Sequence, residues 1–154
     1  MVIVADGKKC SCGRKGCFET YASAKALLFS AKEQMLKDKL SLLWNIAGDI
    51  DNLTIHNIFT AKKQNDKTAK NILDEFFKYL GIGVVNIVNI FQPELLFFGG
   101  IMAEEGDELI TPIKEILEKE VYNRLSKNKT EIAVAFLGND AGIIGASQLY
   151  KLKF

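Results

Sequence analysis

Residues 10–17 read Cys-Ser-Cys-Gly-Arg-Lys-Gly-Cys, and this stretch holds all 3 cysteines of the 154-residue chain. A Cys-x-Cys turn that returns through Gly13 and Gly16 can bring three sulfur atoms to one point, because glycine lets the backbone fold tightly. Three thiolates suit Zn²⁺, which takes four tetrahedral ligands in structural sites. We therefore predict a metal centre with Cys10, Cys12 and Cys17 as ligands.

The residues around the cysteines support a metal centre without completing its ligand set. Four basic side chains lie nearby: Lys8, Lys9, Arg14 and Lys15. They favour thiolates and offset the negative charge of the site. The only histidine, His56, lies far along the chain and fits a core or capping residue better than a fourth ligand. Two alternatives stay open: three unligated cysteines in a reduced cytoplasm, and an iron–sulfur cluster, although the spacing fits no common cluster pattern.

Beyond the cysteines the apolar pattern is helical. It predicts one helix that begins near Glu19, and short helices between residues 41 and 63. The apolar stripe of the first helix comprises Tyr21, Leu27, Leu28, Ala31, Met35 and Leu36. A longer helix is predicted from Asp66 to about Phe91, and its second half is apolar on nearly all sides, so it should be central.

The predicted strands are short and alternate with helices. Three runs have the composition of strands: Val2–Val4, Leu95–Phe98 and Ile132–Leu137. The second should be buried and end at Gly99-Gly100, and a helix with Pro112 in its first turn follows. Ala141–Leu149 is predicted to be the last helix. This order indicates an α/β layered architecture with a parallel strand pair. Because three short strands make a thin sheet, we expect part of the fold to be missing.

The composition is that of one soluble globular domain, with 48% hydrophobic and 25% charged residues. With 20 basic and 19 acidic residues, the chain has a formal charge of +1, which argues against bulk electrostatic binding to nucleic acid or to a membrane. Polar residues interrupt the longest apolar stretch, Leu80–Met102, and the N-terminus lacks the pattern of a signal peptide. We therefore predict a cytoplasmic protein.

Three motifs in order along the chain resemble those of the ROK family (repressors, open reading frames and sugar kinases). Cys10-x-Cys12-Gly13-x-x-Gly16-Cys17-x-Glu19 resembles the family's zinc motif. Residues 80–100 resemble its second signature, a Gly/Asn-rich helix that runs into a strand and a glycine turn. Residues 137–146, Leu-Gly-Asn-Asp-Ala-Gly-Ile-Ile-Gly-Ala, resemble its C-terminal segment. The resemblance covers essentially the whole chain but only the C-terminal half of a family member.

This resemblance implies the C-terminal lobe of an actin-like (ribonuclease H-like) sugar-kinase fold that is incomplete. Residues 1–154 would form a single α/β domain with a zinc loop at residues 7–19, and the N-terminal lobe would be absent. The sequence has no D-x-G-x-T phosphate-binding loop, and the catalytic Asp of the family's kinases would lie in the absent lobe. The family's E-x-G-H motif, whose His is the fourth zinc ligand, would end immediately before Met1. We therefore expect the chain alone to be catalytically inactive.

The resemblance also implies roles for single residues. Glu19 would bind a sugar hydroxyl, although an acid in the first turn of a helix is equally stabilised by the helix dipole. Gly99 and Gly100 would lie on the nucleotide side, although a tight strand-to-helix turn needs the same glycines. Zinc would be structural, and the intact parent would use Mg-ATP.

Four further positions have structural interpretations. Asn86 and Asn89 are predicted to satisfy the backbone of neighbouring loops. Gly81 and Gly83 are predicted to allow close packing against the long helix rather than to contact a ligand.

Two parent functions fit these motifs. One is an ATP-dependent hexose kinase of the glucokinase or fructokinase type, with sugar and ATP as partners. The other is the sugar-sensing domain of a transcriptional repressor, the only case in which nucleic acid would be a partner. A non-catalytic, zinc-stabilised dimerisation module is a third possibility, since the family is commonly dimeric and the helix around residues 20 to 40 carries apolar residues. The balanced charge favours the kinase.

Overall fold

The computed structural model describes residues 1–122, 129–135 and 140–149. Its helices are α1 (Glu19–Ala22), α2 (Ala24–Lys37), α3 (Leu43–Ala47), α4 (Ile55–Lys63), α5 (Lys67–Phe91), α6 (Asp107–Glu120) and α7 (Ala141–Gln148). Two short 3₁₀ helices cover Ile50–Asn52 and Ile101–Glu105, and the strands are β1 (Leu95–Phe98) and β2 (Glu131–Val134). Among the described helices, none has the length and hydrophobicity that a membrane span requires.

The two strands pair in parallel, from Leu95 opposite Glu131 to Phe98 opposite Val134. Helix α6 lies between them in sequence, so the α/β class and the parallel pair are confirmed. The prediction of a strand at Val2–Val4 is wrong, because Val2 makes only an isolated bridge to Cys17. Strand β2 ends at Val134, and the last two residues of the predicted Ile132–Leu137 strand lie outside the described residues.

Strand β1 is only half buried, which corrects the prediction that it is a buried strand. Leu96 and Phe98 pack against the core, whereas Leu95 and Phe97 are 42% and 60% exposed. Successive side chains of a strand point to opposite faces. Helix α6 contacts the sheet, but no described element covers the face that carries Leu95 and Phe97.

Helix α5 runs through the centre of the molecule, as its apolar pattern predicts. Its buried side chains comprise Ala69, Ile72, Leu73, Phe76, Phe77, Leu80, Val84, Val85 and Val88. Helices α1, α2, α4 and α6 all pack against it. Ile90 and Phe91 are 70% and 73% exposed. The buried portion of α5 therefore ends at Val88, and the last turn of the helix lies at the surface.

Two helix boundaries differ from the prediction. The helix expected from Glu19 is broken at Ser23, whose backbone is extended and whose hydroxyl accepts a hydrogen bond from Ala26 N at 3.1 Å, capping α2. Leu36 is 57% exposed and does not belong to the buried stripe. Pro112 is the sixth residue of α6, because the helix begins earlier, after Gly106 with a φ of 53°. The first-turn placement of Pro112 is therefore wrong.

The start of α5 is fixed by a buried carboxylate. Asp66 accepts hydrogen bonds from Ala69 N at 2.6 Å, from Leu42 N at 2.7 Å and from Ser41 Oγ at 3.2 Å. Asp66 and Ser41 are 7% and 3% exposed. One side chain thus caps the central helix and holds the loop before α3 against it.

We expect Asp66→Ala to lower the free energy of unfolding by about 2–4 kcal/mol, because it removes a helix cap and leaves the half-buried Leu42 N–H and the buried Ser41 hydroxyl without their acceptor. Urea denaturation with an unchanged m-value measures this loss. Asp74→Ala, at an exposed position of the same helix, is the matched control and should change stability by less than about 0.5 kcal/mol. Equal effects of the two substitutions would contradict the role given to Asp66.

Candidate metal centre

The cysteine loop is built against the first residues of the chain. Ile3 N donates to Gly16 O at 2.8 Å and Phe18 N donates to Met1 O at 2.9 Å, on either side of the Val2–Cys17 bridge. Within the loop, Cys10 N donates to Arg14 O at 2.9 Å. Backbone hydrogen bonds therefore hold the cysteine loop against the N-terminal residues and close it on itself.

Two glycines permit this path. Gly13 and Gly16 have φ values of 86° and 72°, in the region that favours glycine. A Cβ on Gly16 would collide with the carbonyl oxygen of Val4, so any other residue there would displace the N-terminal segment. Among the residues that the structure describes, none comes within 4 Å of a Cβ placed on Gly13, so Gly13 is needed there for its backbone conformation.

The three cysteines converge as their spacing predicts. Their Sγ atoms all lie within 4.8 Å of one another, and Cys12 Sγ lies 3.5 Å from Cys17 Sγ. Tetrahedral Zn²⁺ with Zn–S bonds of about 2.3 Å separates its sulfur ligands by about 3.8 Å. Cys17 is buried, Cys10 half-buried and Cys12 exposed. The donor set and its spacing therefore fit a thiolate metal centre with one further ligand.

Local hydrogen bonds favour thiolates at two of the three positions. The backbone N–H and then the side chain of Arg14 lower the pKa of Cys12 to about 6. The backbone N–H of Cys12, followed by the Thr20 hydroxyl, lowers the pKa of Cys10. The hydrogen bond with Cys12, together with burial, raises the pKa of Cys17 to about 11. The cluster thus carries negative charge near neutral pH, which attracts a cation.

The loop is attached to the central helix through Phe18. A Cβ on Gly83 of α5 would overlap the Phe18 ring, so the ring lies directly on the bare backbone of the helix. A Cβ on Gly81 would come within 2.8 Å of Ile116 in α6. Both glycines therefore allow close packing, as predicted. Sequence reasoning missed Phe18, because nothing in its local pattern identifies a partner so far along the chain.

Glu19 follows this contact directly. It is the first residue of α1 and its side chain is exposed. Two residues later, the Tyr21 hydroxyl accepts a hydrogen bond from Lys8 N at 2.7 Å, and a Cβ on Gly7 would collide with this hydroxyl. The Glu19 carboxylate therefore faces solvent. The backbone that carries it is held before Glu19 by the contact of Phe18 with Gly83, and after Glu19 by the hydrogen bond between Lys8 and Tyr21.

The remaining candidate residues lie elsewhere. Gly99 and Gly100 are exposed at the end of β1; Gly100 has a φ of 72°, and no atom of the described residues lies within 4 Å of the position that a Cβ would take there. His56 is neither in the cysteine cluster nor in the core, because its side chain is 76% exposed and Nδ1 lies 3.4 Å from Glu105 Oε1. The expected core or capping role of His56 is therefore wrong. Glu105, whose side chain is only 7% exposed, gave no recognisable signal in the sequence.

The predicted role of Asn89 in helix α5 is confirmed. Asn89 Oδ1 accepts a hydrogen bond from Tyr122 N at 2.9 Å, at the end of α6, as expected of a residue that satisfies loop backbone. The glycine-rich third motif is only partly described: residues 136–139 lie outside the described residues, and α7 begins at Ala141.

The sequence profile of the ROK family matches residues 1–153. The chain belongs to the ROK family. It is 37% identical over 153 residues to the glucokinase of Halalkalibacterium halodurans, an alignment that covers 97% of this chain and 45% of that protein. It is 33% identical over 149 residues to the xylose repressor of Bacillus subtilis, covering 97% of this chain and 35% of the repressor.

A solved structure shows the same fold. The ROK family glucokinase of Streptomyces griseus, crystallised with glucose and AMPPNP, superposes with a TM-score of 0.84 at 28% identity, covering 97% of this chain and 49% of that chain. This ROK chain thus spans about half the length of the two glucokinases and about a third of the length of the xylose repressor. A glucokinase and a repressor each align with 97% of this chain, so membership of the family alone does not separate kinase from repressor.

Substituting Gly83 with Ala should lower the free energy of unfolding by about 1–3 kcal/mol, because the new Cβ overlaps Phe18 in a packed interface. Thermal or urea unfolding measures the change. Gly145→Ala in α7 is the matched control, since within the described part of the chain nothing lies within 4 Å of its Cβ position; it should be neutral or stabilising by up to about 1 kcal/mol. A neutral Gly83→Ala would show that Phe18 does not rest on the helix.

Proposed function

We propose that residues 1–154 form the C-terminal lobe of an actin-like ROK sugar kinase. The observation that carries this proposal is the convergence of three cysteine sulfur atoms within 4.8 Å, two residues before Glu19. Similarity to a glucokinase at 37% identity and the fold shared with another at a TM-score of 0.84 support it. The whole protein would transfer the γ-phosphoryl group of Mg-ATP to a hexose hydroxyl.

Cys10, Cys12 and Cys17 would hold a structural zinc ion, with a fourth ligand from outside the cluster. A bound zinc ion supplies no catalysis here; it stabilises the fold of the loop. The polypeptide then orients Glu19. Phe18 lies on Gly83 of α5, and Tyr21 accepts a hydrogen bond from Lys8 N. These two contacts fix the backbone on both sides of Glu19, so its exposed carboxylate has a defined position.

Glu19 would accept hydrogen bonds from sugar hydroxyls. A carboxylate has two acceptor oxygens, and hydrogen bonds to a charged acceptor are stronger than neutral ones. Gly99 and Gly100 would form part of the nucleotide side, where the missing side chain of Gly100 and the space that the described residues leave around it would let a phosphate or ribose group approach the backbone. The general base and the phosphate-binding loop would belong to the other lobe of the whole protein.

A sugar-sensing domain of a repressor is the second candidate. The 33% identity to the xylose repressor of Bacillus subtilis over 97% of this chain favours it. The near-neutral charge of +1 supports the kinase, since DNA binding relies on basic surfaces. The preferred sugar separates the two: glucose in preference to xylose supports the kinase, and the reverse supports the repressor.

The proposed centre predicts about one zinc ion per purified chain by metal analysis. Chelation should lower the melting temperature by about 5 °C or more, which corresponds to about 2 kcal/mol in a domain of this size. Cys12→Ser and Cys17→Ser should each lose the metal. Ser11→Ala, within the same loop, is the control and should retain it. Zinc-free protein that melts unchanged with chelator would contradict the proposal.

The proposed sugar site predicts that Glu19→Gln weakens glucose binding about tenfold or more, because a hydrogen bond to a charged group contributes about 1.5–3 kcal/mol. Titration of the zinc-loaded, ¹⁵N-labelled chain with glucose, followed by NMR, measures the affinity. Glu33→Gln, at an exposed position of α2, should leave it unchanged. Wild-type affinity in the Glu19 variant would remove this residue from the site.

We also propose that the chain forms a homodimer through α2. Phe29, Leu36 and Leu40 are 62%, 57% and 93% exposed. Phe29 and Leu36 are seven residues apart, which places them on one side of α2, and Leu40 lies in the turn that follows the helix. Exposed apolar residues that line up in this way are typical of a surface that another chain covers.

Phe29→Glu should therefore convert the dimer to a monomer in sedimentation equilibrium, because a charge would be buried in the interface without a partner. Tyr122→Glu, which changes another aromatic side chain that is 91% exposed, is the control and should leave the dimer intact. A wild-type chain that sediments as a monomer would contradict the dimer proposal.

A further inference from the structure

The three thiols of the cysteine cluster are not equivalent. Cys12 and Cys17 have their Sγ atoms 3.5 Å apart, and they differ sharply in exposure. Cys12 is exposed, whereas Cys17 is only 5% exposed. All three cysteines are free. An accessible sulfur atom therefore lies in contact with a shielded one, as in a pair made of an attacking and a resolving cysteine.

We propose that Cys12 and Cys17 form a peroxide-responsive dithiol, whose oxidation to a disulfide releases the metal ion of the loop. The release, but not the disulfide itself, rests on the proposed zinc centre. The co-reactant is a hydroperoxide, with hydrogen peroxide as the simplest member of the class.

The chemistry balances in two steps. The thiolate sulfur of Cys12 attacks one oxygen of the peroxide, the O–O bond breaks, and Cys12 becomes a sulfenic acid while hydroxide leaves. The thiol of Cys17 then attacks the Cys12 sulfur, the S–S bond forms, and the oxygen leaves as water with the thiol proton. Two sulfur atoms have each been oxidised by one electron, and the peroxide has been reduced by two.

Exposure and spacing select this pair over the alternatives. Cys12 is the exposed sulfur atom, so peroxide reaches it first. Cys10 is separated from Cys12 by a single residue, which leaves little backbone to adopt the geometry of a disulfide. Four residues separate Cys12 from Cys17, and Gly13 and Gly16 are among them. This segment has more freedom to bring the two Cβ atoms to the about 3.8 Å that a disulfide needs.

Oxidation would undo the site that presents Glu19. A disulfide sulfur atom is a poor ligand compared with a thiolate, so only Cys10 would remain to hold the metal. Cys17 is bridged to Val2 and precedes Phe18. A movement of its sulfur atom is therefore transmitted to the segment that leads into Glu19. A thiol reductant would reverse the disulfide, and added zinc would refill the site.

The test treats the purified, zinc-loaded chain with hydrogen peroxide. Released zinc is followed with a chromogenic chelator, and peptide mapping after alkylation locates the disulfide. The expected product has one Cys12–Cys17 disulfide, an alkylated Cys10 and zinc in solution, and dithiothreitol with zinc restores the starting state. A parallel sample stripped of metal with EDTA should form the same disulfide.

Two variants keep the test decisive. Cys10→Ser should still form the Cys12–Cys17 disulfide, whereas Cys12→Ser should form none within the chain. A Cys10–Cys12 disulfide, a disulfide between chains, or sulfinic acid without a disulfide would each overturn the inference. If the chain binds no zinc but the EDTA-treated sample forms the Cys12–Cys17 disulfide, the metal proposal and the release step fail and the dithiol stands. If zinc is bound and no disulfide forms, only the redox inference fails.

Discussion

The contact between the Phe18 ring and the backbone of Gly83 is the constraint on which the candidate site depends. Hydrogen bonds inside the loop fix the cysteines relative to one another and to the N-terminal residues. They do not fix the loop relative to the core. The Phe18 ring fixes the loop relative to the core, because it rests on the backbone of α5 and Gly83 has no side chain to keep the two surfaces apart.

Helix α5 can serve as this platform because its two ends are held by different means. At its start the buried Asp66 carboxylate binds both the helix and the loop before α3. Near its end Asn89 accepts a hydrogen bond from Tyr122, just after α6. The helix between them is buried by helices on several sides. The cysteine loop and the surrounding helices thus pack against the same central helix. A site assembled from distant segments requires such a common support.

The sequence was most informative where the chemistry is local. Cysteine spacing with two glycines predicted the convergence of three sulfur atoms, and a long apolar pattern predicted α5, because neither depends on distant partners. The break at Ser23, the exposure of Phe97 and the pairing of His56 with Glu105 were not predictable in this way. The break at Ser23 is a local cap of α2 that the apolar pattern does not record, whereas the other two features are decided by what lies across from the residue in space. Periodicity records how apolar a face is, not whether another element covers it.

The short sequence separation within the cysteine loop has a consequence for the order of folding. Met1–Val4 and Gly16–Phe18 lie so close along the chain that their contacts form by closing a loop of little more than ten residues, a step that takes on the order of 10–100 ns. The contact between Phe18 and Gly83 joins residues that are much farther apart in sequence. This contact forms more slowly, because closing the longer loop costs more chain entropy. During synthesis the loop can therefore close and capture a metal ion before α5 has been made, and its docking onto the core comes afterwards.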